Sequence, residues 1–164
     1  MDASKPVRFT SPANAWAIGA QLLAFVVPVL SVTEGYQPVA LEHVSPILAD
    51  VWQWLLLIVA MIATAASVGV QVFTARGGAF IVALSRVEAA ATMLVAVCFA
   101  MLWGALVHEY GYGSNPLTQA MVGVLALAAL ARVMQIAFEL WKYKRALRAG
   151  NTATVEALAQ PEES

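Results

Sequence analysis

The sequence contains few of the residues that enzymes and cofactor-binding proteins use for chemistry. It has one cysteine and two histidines, and only 12% of its 164 residues are charged, whereas soluble domains carry about 25%. The lone cysteine, Cys98, excludes an internal disulfide. There is no glycine-rich phosphate loop, no His-Glu-x-x-His zinc motif and no nucleophile elbow. The sequence therefore predicts no enzyme, no cofactor and no small-molecule substrate, and the net charge of -1 favours no nucleic-acid partner.

Long apolar stretches dominate the chain instead. Hydrophobic residues make up 61% of it, and its mean hydropathy is +0.75. A helix of about 20 apolar residues crosses a bilayer, and backbone polar groups in lipid have to be paired within such a helix. The sequence predicts an all-α membrane protein, a bundle of four transmembrane helices over residues 13–32, 51–73, 87–107 and 117–137. This domain, residues 13–148, is expected between a short segment, 1–12, and a disordered tail, 149–164.

The basic residues predict the orientation of the bundle. The connections over residues 33–50 and 108–116 contain no Lys or Arg, and all nine basic residues lie at the other ends of the spans. Because Lys and Arg close to span ends stay in the cytoplasm, both termini are predicted to be cytoplasmic, in a bacterial inner membrane. The last helix is predicted to continue into the cytoplasm as an amphipathic helix whose basic residues favour anionic membrane lipid.

Five tryptophans lie near predicted span ends, where an indole ring is favoured at the membrane–water interface. Two belong to inner boundaries, Trp16 and Trp141, and three to outer ones, Trp52, Trp54 and Trp103. We interpret all five as interfacial anchors.

Two charged residues approach the membrane interior. At 1.5 Å per residue, Arg132 lies about 22 Å beyond Leu117, and Glu88 about 28 Å before Val107. Both belong to the inner half of the membrane, so an ion pair between the third and fourth helices fits the geometry. Two other interpretations stay open. In one, Arg132 snorkels to the headgroups while Glu88 lies at the interface; in the other, both residues belong to an ion or proton path.

Small residues predict where the helices pack. In lipid there is little hydrophobic force between helices, so association depends on close packing at small residues. Four of them recur every fourth residue in the third span: Thr92, Ala96, Ala100 and Gly104. This helix-packing face is expected to meet either the rest of the bundle or another subunit.

The two histidines lie in the predicted outer connections. His43 follows Glu42, and His108 precedes Glu109. Histidine and carboxylate groups are zinc ligands, but two separate His–acid pairs do not constitute a recognisable site. No metal is predicted.

Two short segments complete the pattern. Arg86-Val87-Glu88 opens the third span, and Glu139-Leu140-Trp141-Lys142-Tyr143-Lys144-Arg145 forms the basic exit of the fourth. With its small size and four Ala/Val-rich spans, the chain resembles in overall plan, over residues 13–148, the holin-like four-span membrane proteins of lysis cassettes in phages that infect actinobacteria. The resemblance implies self-association in the host inner membrane and timed permeabilisation that exposes the cell wall to endolysin. It brings no catalytic residues.

Two alternatives fit the same features. One is a non-catalytic accessory subunit that packs against another membrane protein in a larger complex. The other is an oligomeric ion channel or transporter component that uses Glu88 and Arg132.

The predicted orientation is testable with tags or cysteine labels at Tyr36 and Ser114. Both positions are expected to react with a membrane-impermeant reagent added outside intact cells, because they lie in connections without basic residues. Reaction from the inside alone, at either position, would overturn the predicted topology.

Overall fold

The structure, a computed structural model, describes residues 22–27, 29–30, 33, 38–73 and 78–159, with residues 151–159 described by their backbone only. No β-strand occurs in this part of the chain. Its helices are α1 (Val39–Val44), α2 (Pro46–Val72), α3 (Gly78–Tyr110) and α4 (Pro116–Ala159). Of the predicted first span, residues 22–27 and 29–30 are helical, and the remainder lies outside the described residues.

Three helices are long and apolar enough to cross a membrane. Their candidate spans are Pro46–Val72, Ala79–Tyr110 and Pro116–Gly150, with 27, 32 and 35 residues. Large apolar side chains point outwards from them, including Ile47 and Leu117, which are 75% and 72% exposed. Apolar surface on this scale is costly in water and suits lipid. The prediction of an all-helical membrane protein is therefore confirmed for these three spans.

The start of α2 is specified by two neighbouring residues. Ser45 is the N-cap, and its Oγ accepts a hydrogen bond from the Leu48 N–H at 3.4 Å. Pro46 occupies the first helical position, where its missing N–H leaves no bond unmade. The short helix α1 precedes this cap and buries Ala40 and Leu41, packing on both α2 and α3.

The connection between α3 and α4 depends on two glycines and a buried glutamine. Gly111 and Gly113 have φ of 75° and 84°, a region that glycine adopts without a steric penalty. Gln119 Oε1 accepts from the Gly113 N–H at 3.2 Å, and its Nε2 donates to the Gly111 carbonyl at 2.9 Å. These bonds hold the turn that returns α4 along α3.

The end of α4 extends into the segment predicted as a disordered tail, residues 149–164. Instead of ending near residue 149, α4 continues to Ala159 and has 44 residues. The segment 155–159, Val-Glu-Ala-Leu-Ala, is rich in strong helix formers, and the next proline is Pro161.

The core between the helices is centred on large side chains from α2 and α3. Trp52, Leu56 and Phe99 are 1% exposed or less. The indole Nε1 of Trp52 donates to the carbonyl oxygen of Cys98 at 2.7 Å, which satisfies the polar atom of a buried ring. Trp52 therefore ties α2 to α3 inside the bundle; its role as an interfacial anchor stays a prediction.

Gly69 permits close contact between α2 and α3, and this contact is testable. A Cβ at Gly69 would meet Leu84 Cδ2 at 2.7 Å, whereas a Cβ at Gly104 would meet nothing within 4 Å. We expect Gly69→Ala to lower the free energy of unfolding in detergent micelles by about 1 kcal/mol, because the end of Leu84 has to move. Gly104→Ala is the matched control and should leave stability unchanged or raised, since alanine is the better helix former. Equal losses from both substitutions would contradict this account.

Candidate functional site

Glu88 of α3 and Arg132 of α4 form an ion pair inside the bundle. Arg132 Nη2 donates to Glu88 Oε1 at 2.7 Å, and its Nε donates to the same oxygen at 3.0 Å. The Arg132 and Glu88 side chains are 3% and 1% exposed. The structure thus brings together two residues 44 positions apart in the sequence. In the structure Arg132 does not extend outwards as snorkelling to the headgroups requires, because the Arg132 guanidinium is buried against Glu88.

Gln135 extends this contact along α4. Its Oε1 accepts a hydrogen bond from Arg132 Nη1 at 3.2 Å. A single charged side chain at the bilayer centre costs about 2.5–3.5 kcal/mol on insertion scales. Pairing with hydrogen bonds offsets much of this cost, whereas removing one partner leaves the other charge buried and uncompensated. Each of the two buried charges is therefore stabilised by the presence of the other.

Two hydroxyl residues share the Glu88 face of α3. Ser85, Glu88 and Thr92 follow one another at steps of three and four residues, which places them on one side of a helix. Ser85 and Thr92 are 1% and 2% exposed. Within the described part of the chain, Ser85 Oγ and Thr92 Oγ1 have no hydrogen-bond partner. We name Ser85, Glu88 and Thr92 the polar stripe; it is a polar surface in an otherwise apolar part of the core.

A second polar contact between side chains joins α1 to the opposite end of α3. His43 Nδ1 lies 2.7 Å from Glu109 Oε1, and both side chains are partly exposed. His43 is next to Glu42 in the sequence and Glu109 is next to His108, and the fold brings His43 to Glu109. Among the described residues, no group of three or more His, Cys, Asp or Glu is placed to hold a metal ion.

A groove of about 570 Å³ lies between α3 and α4, next to the turn that joins them. Small residues on its walls, Ala100, Ala120 and Gly123, leave room between the helices. Trp103 also lines it, with its ring 3.7 Å from where a Gly123 Cβ would lie. The groove is lined mainly by apolar side chains, so it suits packing against another apolar surface rather than catalysis.

The predicted helix-packing face is only half inside the bundle. Thr92 and Ala96 are buried, whereas Ala100 and Gly104 are exposed. Each four-residue step turns 400° on an α-helix, so the row drifts by about 40° per step. The buried line follows mixed steps of three and four instead, through Val95 and Phe99. The small residues beyond Ala96 therefore face away from the core, and Ala100 lines the groove.

The remaining tryptophans predicted as anchors have different surroundings. Trp54 and Trp141 are exposed on the outside of α2 and α4, and Arg145 lies over the Trp141 ring at 5.5 Å. Trp103 lies at the groove, and Trp16 falls outside the described residues.

The sequence reasoning missed Ser85 and Gln119. A usable signal existed for Ser85, since its three-residue spacing from Glu88 and seven-residue spacing from Thr92 puts all three on one helical face. Gln119 had no such signal, because its role as a cap depends on the conformations of Gly111 and Gly113.

Charge exchange tests the buried pair. Glu88→Gln or Arg132→Gln is expected to lower the free energy of unfolding by about 3–5 kcal/mol, since each leaves one buried charge without its partner. Glu88→Arg combined with Arg132→Glu should recover part of the loss caused by either reversal alone. Glu139→Gln is the surface control: it removes a 3.5 Å pair with the exposed Lys142 and should cost about 0–1 kcal/mol. If the exchange restores nothing, the pair does not stabilise the bundle.

Comparison with known proteins assigns no family to this arrangement. No protein-family model matches the chain, and neither a curated protein nor a solved structure matches it.

Proposed function

We propose that the protein is a holin-like factor that self-associates in the bacterial inner membrane and permeabilises it for host lysis. The observation that carries this proposal is the exposed lateral surface of α4, together with the groove beside it. In an 18-residue apolar stretch of each span, 22% is buried in α4, against 39% and 44% in α2 and α3. Helix α4 therefore has the most surface free to meet lipid or another helix.

The groove favours a helix of a second copy as its occupant. Helix association in lipid depends on van der Waals packing at small residues, and Ala100, Ala120 and Gly123 provide such a surface between two helices. The exposed α4 side chains next to the groove are apolar, including Val124 and Leu127. A second copy carries the same groove and the same α4 surface, so copies can associate repeatedly.

The proposal includes a fourth span and cytoplasmic termini. Residues 22–27 and 29–30 are helical within the predicted first span, and Ala24 is fully buried in the core cluster. Four spans place both termini on one side. The positive-inside rule supports the cytoplasm as that side, since Arg86 and the basic residues of α4 from Lys142 onwards lie at the ends of the helices away from Glu42 and Glu109.

Expression in a bacterium with a membrane-potential dye tests this function. We expect growth to continue until an abrupt loss of potential, because permeabilisation depends on a critical density of associated copies. Two outcomes would contradict the proposal. Stable co-purification with a larger membrane complex and no toxicity would indicate an accessory subunit. A graded, ion-selective current that is lost in Glu88→Gln would indicate a channel.

A substitution in the groove links the effect to this surface. Ala100→Leu fills the groove and is expected to delay or abolish the collapse of potential at equal protein level. Ala90→Leu is the matched control: it makes the same change on an exposed α3 position that does not line the groove. Equal timing in both variants would show that the groove does not mediate association.

A further inference from the structure

We propose that the polar stripe binds water inside the bundle, at Ser85 Oγ, Glu88 Oε2 and Thr92 Oγ1, and that this water is continuous with the aqueous phase at the end of α3 that begins at Gly78. This end, which also carries the basic part of α4, is called the basic side below. This inference does not depend on the proposed role in lysis. It is argued from the ion pair and the neighbouring hydroxyls, and it holds for any function of the bundle.

The two hydroxyls are the first observation. A serine or threonine inside a helix can donate to the carbonyl three or four residues before it, as Thr33 Oγ1 does to the carbonyl of Val29 at 2.9 Å. Ser85 and Thr92, each at least 98% buried, make no such bond. A buried hydroxyl without a partner destabilises the folded state, because it has lost its hydrogen bonds to water. Bound water removes that destabilisation.

The carboxylate of Glu88 is the second observation. Both hydrogen bonds that Arg132 donates to Glu88 end on Oε1, so Oε2 accepts neither of them. Along the helix axis Glu88 lies about 4.5 Å from Ser85 and about 6 Å from Thr92. Both hydroxyls therefore lie within about one helical turn of the carboxylate on the same face of α3, and buried waters take two to four polar partners of this kind.

The charges select water over an ion. The Arg132 guanidinium beside the stripe opposes a cation, and the Glu88 carboxylate opposes an anion. The intact pair contributes no net charge, so a neutral molecule that both donates and accepts hydrogen bonds fits best. Water is the smallest such molecule.

The position along α3 indicates the side from which water enters. Ser85 is seven residues from Gly78, about 10 Å along the helix. Arg86 is exposed at the same level, and a charged side chain there draws water into the adjacent membrane region. Residues on the far side of Thr92, including Val95 and Phe99, are apolar and buried. Towards the basic side, Ile81 is the one buried apolar residue of α3 before Ser85 among those whose side chains the structure describes. Fewer buried apolar residues therefore separate the stripe from the basic side.

Cysteine labelling in proteoliposomes tests the proposal, in a Cys98→Ala background. Thr92→Cys and Met93→Cys lie at nearly the same depth, but Thr92 is in the stripe and Met93 is 45% exposed towards lipid. A charged, impermeant thiol reagent supplied to the basic side should modify Thr92→Cys about tenfold faster or more, because only a hydrated thiol ionises readily to the reactive thiolate. Leu147→Cys, beyond the predicted span, shows that the reagent has access.

A second pair of cysteine variants keeps the test valid if Thr92→Cys fails to fold. Ser85→Cys should react faster than Val87→Cys, which faces outwards. Faster stripe labelling in either pair that folds supports the proposal, whether or not the protein collapses the membrane potential of cells. Equal rates within the folded pairs would overturn it, as would unreactive stripe cysteines alongside a reactive Leu147→Cys.

Discussion

The contact between Glu88 and Arg132 constrains the arrangement of α3 and α4 more than any apolar contact can. Apolar side chains in lipid lose little when helices slide or separate, because the surrounding acyl chains are as apolar as the core. A carboxylate and a guanidinium held at 2.7 Å are different, since each becomes an isolated charge in a medium of low dielectric if the other moves away. The pair therefore selects one rotation and one register for two long helices whose remaining surfaces are mostly Ala, Val, Leu and Met.

The rest of the bundle is arranged around this constraint. At the other end of α3, the bond from the Trp52 indole to the Cys98 carbonyl ties α2 to α3, and the contact between His43 and Glu109 ties α1 to the same end. Gln119 holds the turn into α4 through Gly111 and Gly113. Polar bonds thus link α3 to each of the other helices, while close packing at Gly69 brings α2 and α3 together.

The outer surface of the bundle has a different character. Large apolar side chains, including Val124 and Leu127, are exposed on α4 between Leu117 and Met134. The groove at Ala100, Ala120 and Gly123 changes the shape of this surface but leaves it mainly apolar. Such a surface suits lateral association, which is why we connect it with permeabilisation by many copies. The polar stripe lies inside the bundle, where we propose that it binds water, and this inference does not depend on permeabilisation.

The amino-acid sequence by itself was enough to predict that the helices lie in lipid. Apolar runs of bilayer length predict helices in lipid because unpaired backbone groups are not tolerated there, and three such helices are present. The helical face shared by Ser85, Glu88 and Thr92 could also be obtained from spacing alone, as could the similar depth of Glu88 and Arg132. Only the tertiary structure decided which residue meets which. It turned Trp52 inwards, paired His43 with Glu109, and left Ala100 and Gly104 on the outside. These outcomes depend on helix rotation and register, which arise from contacts between distant segments and are absent from any local pattern along the chain.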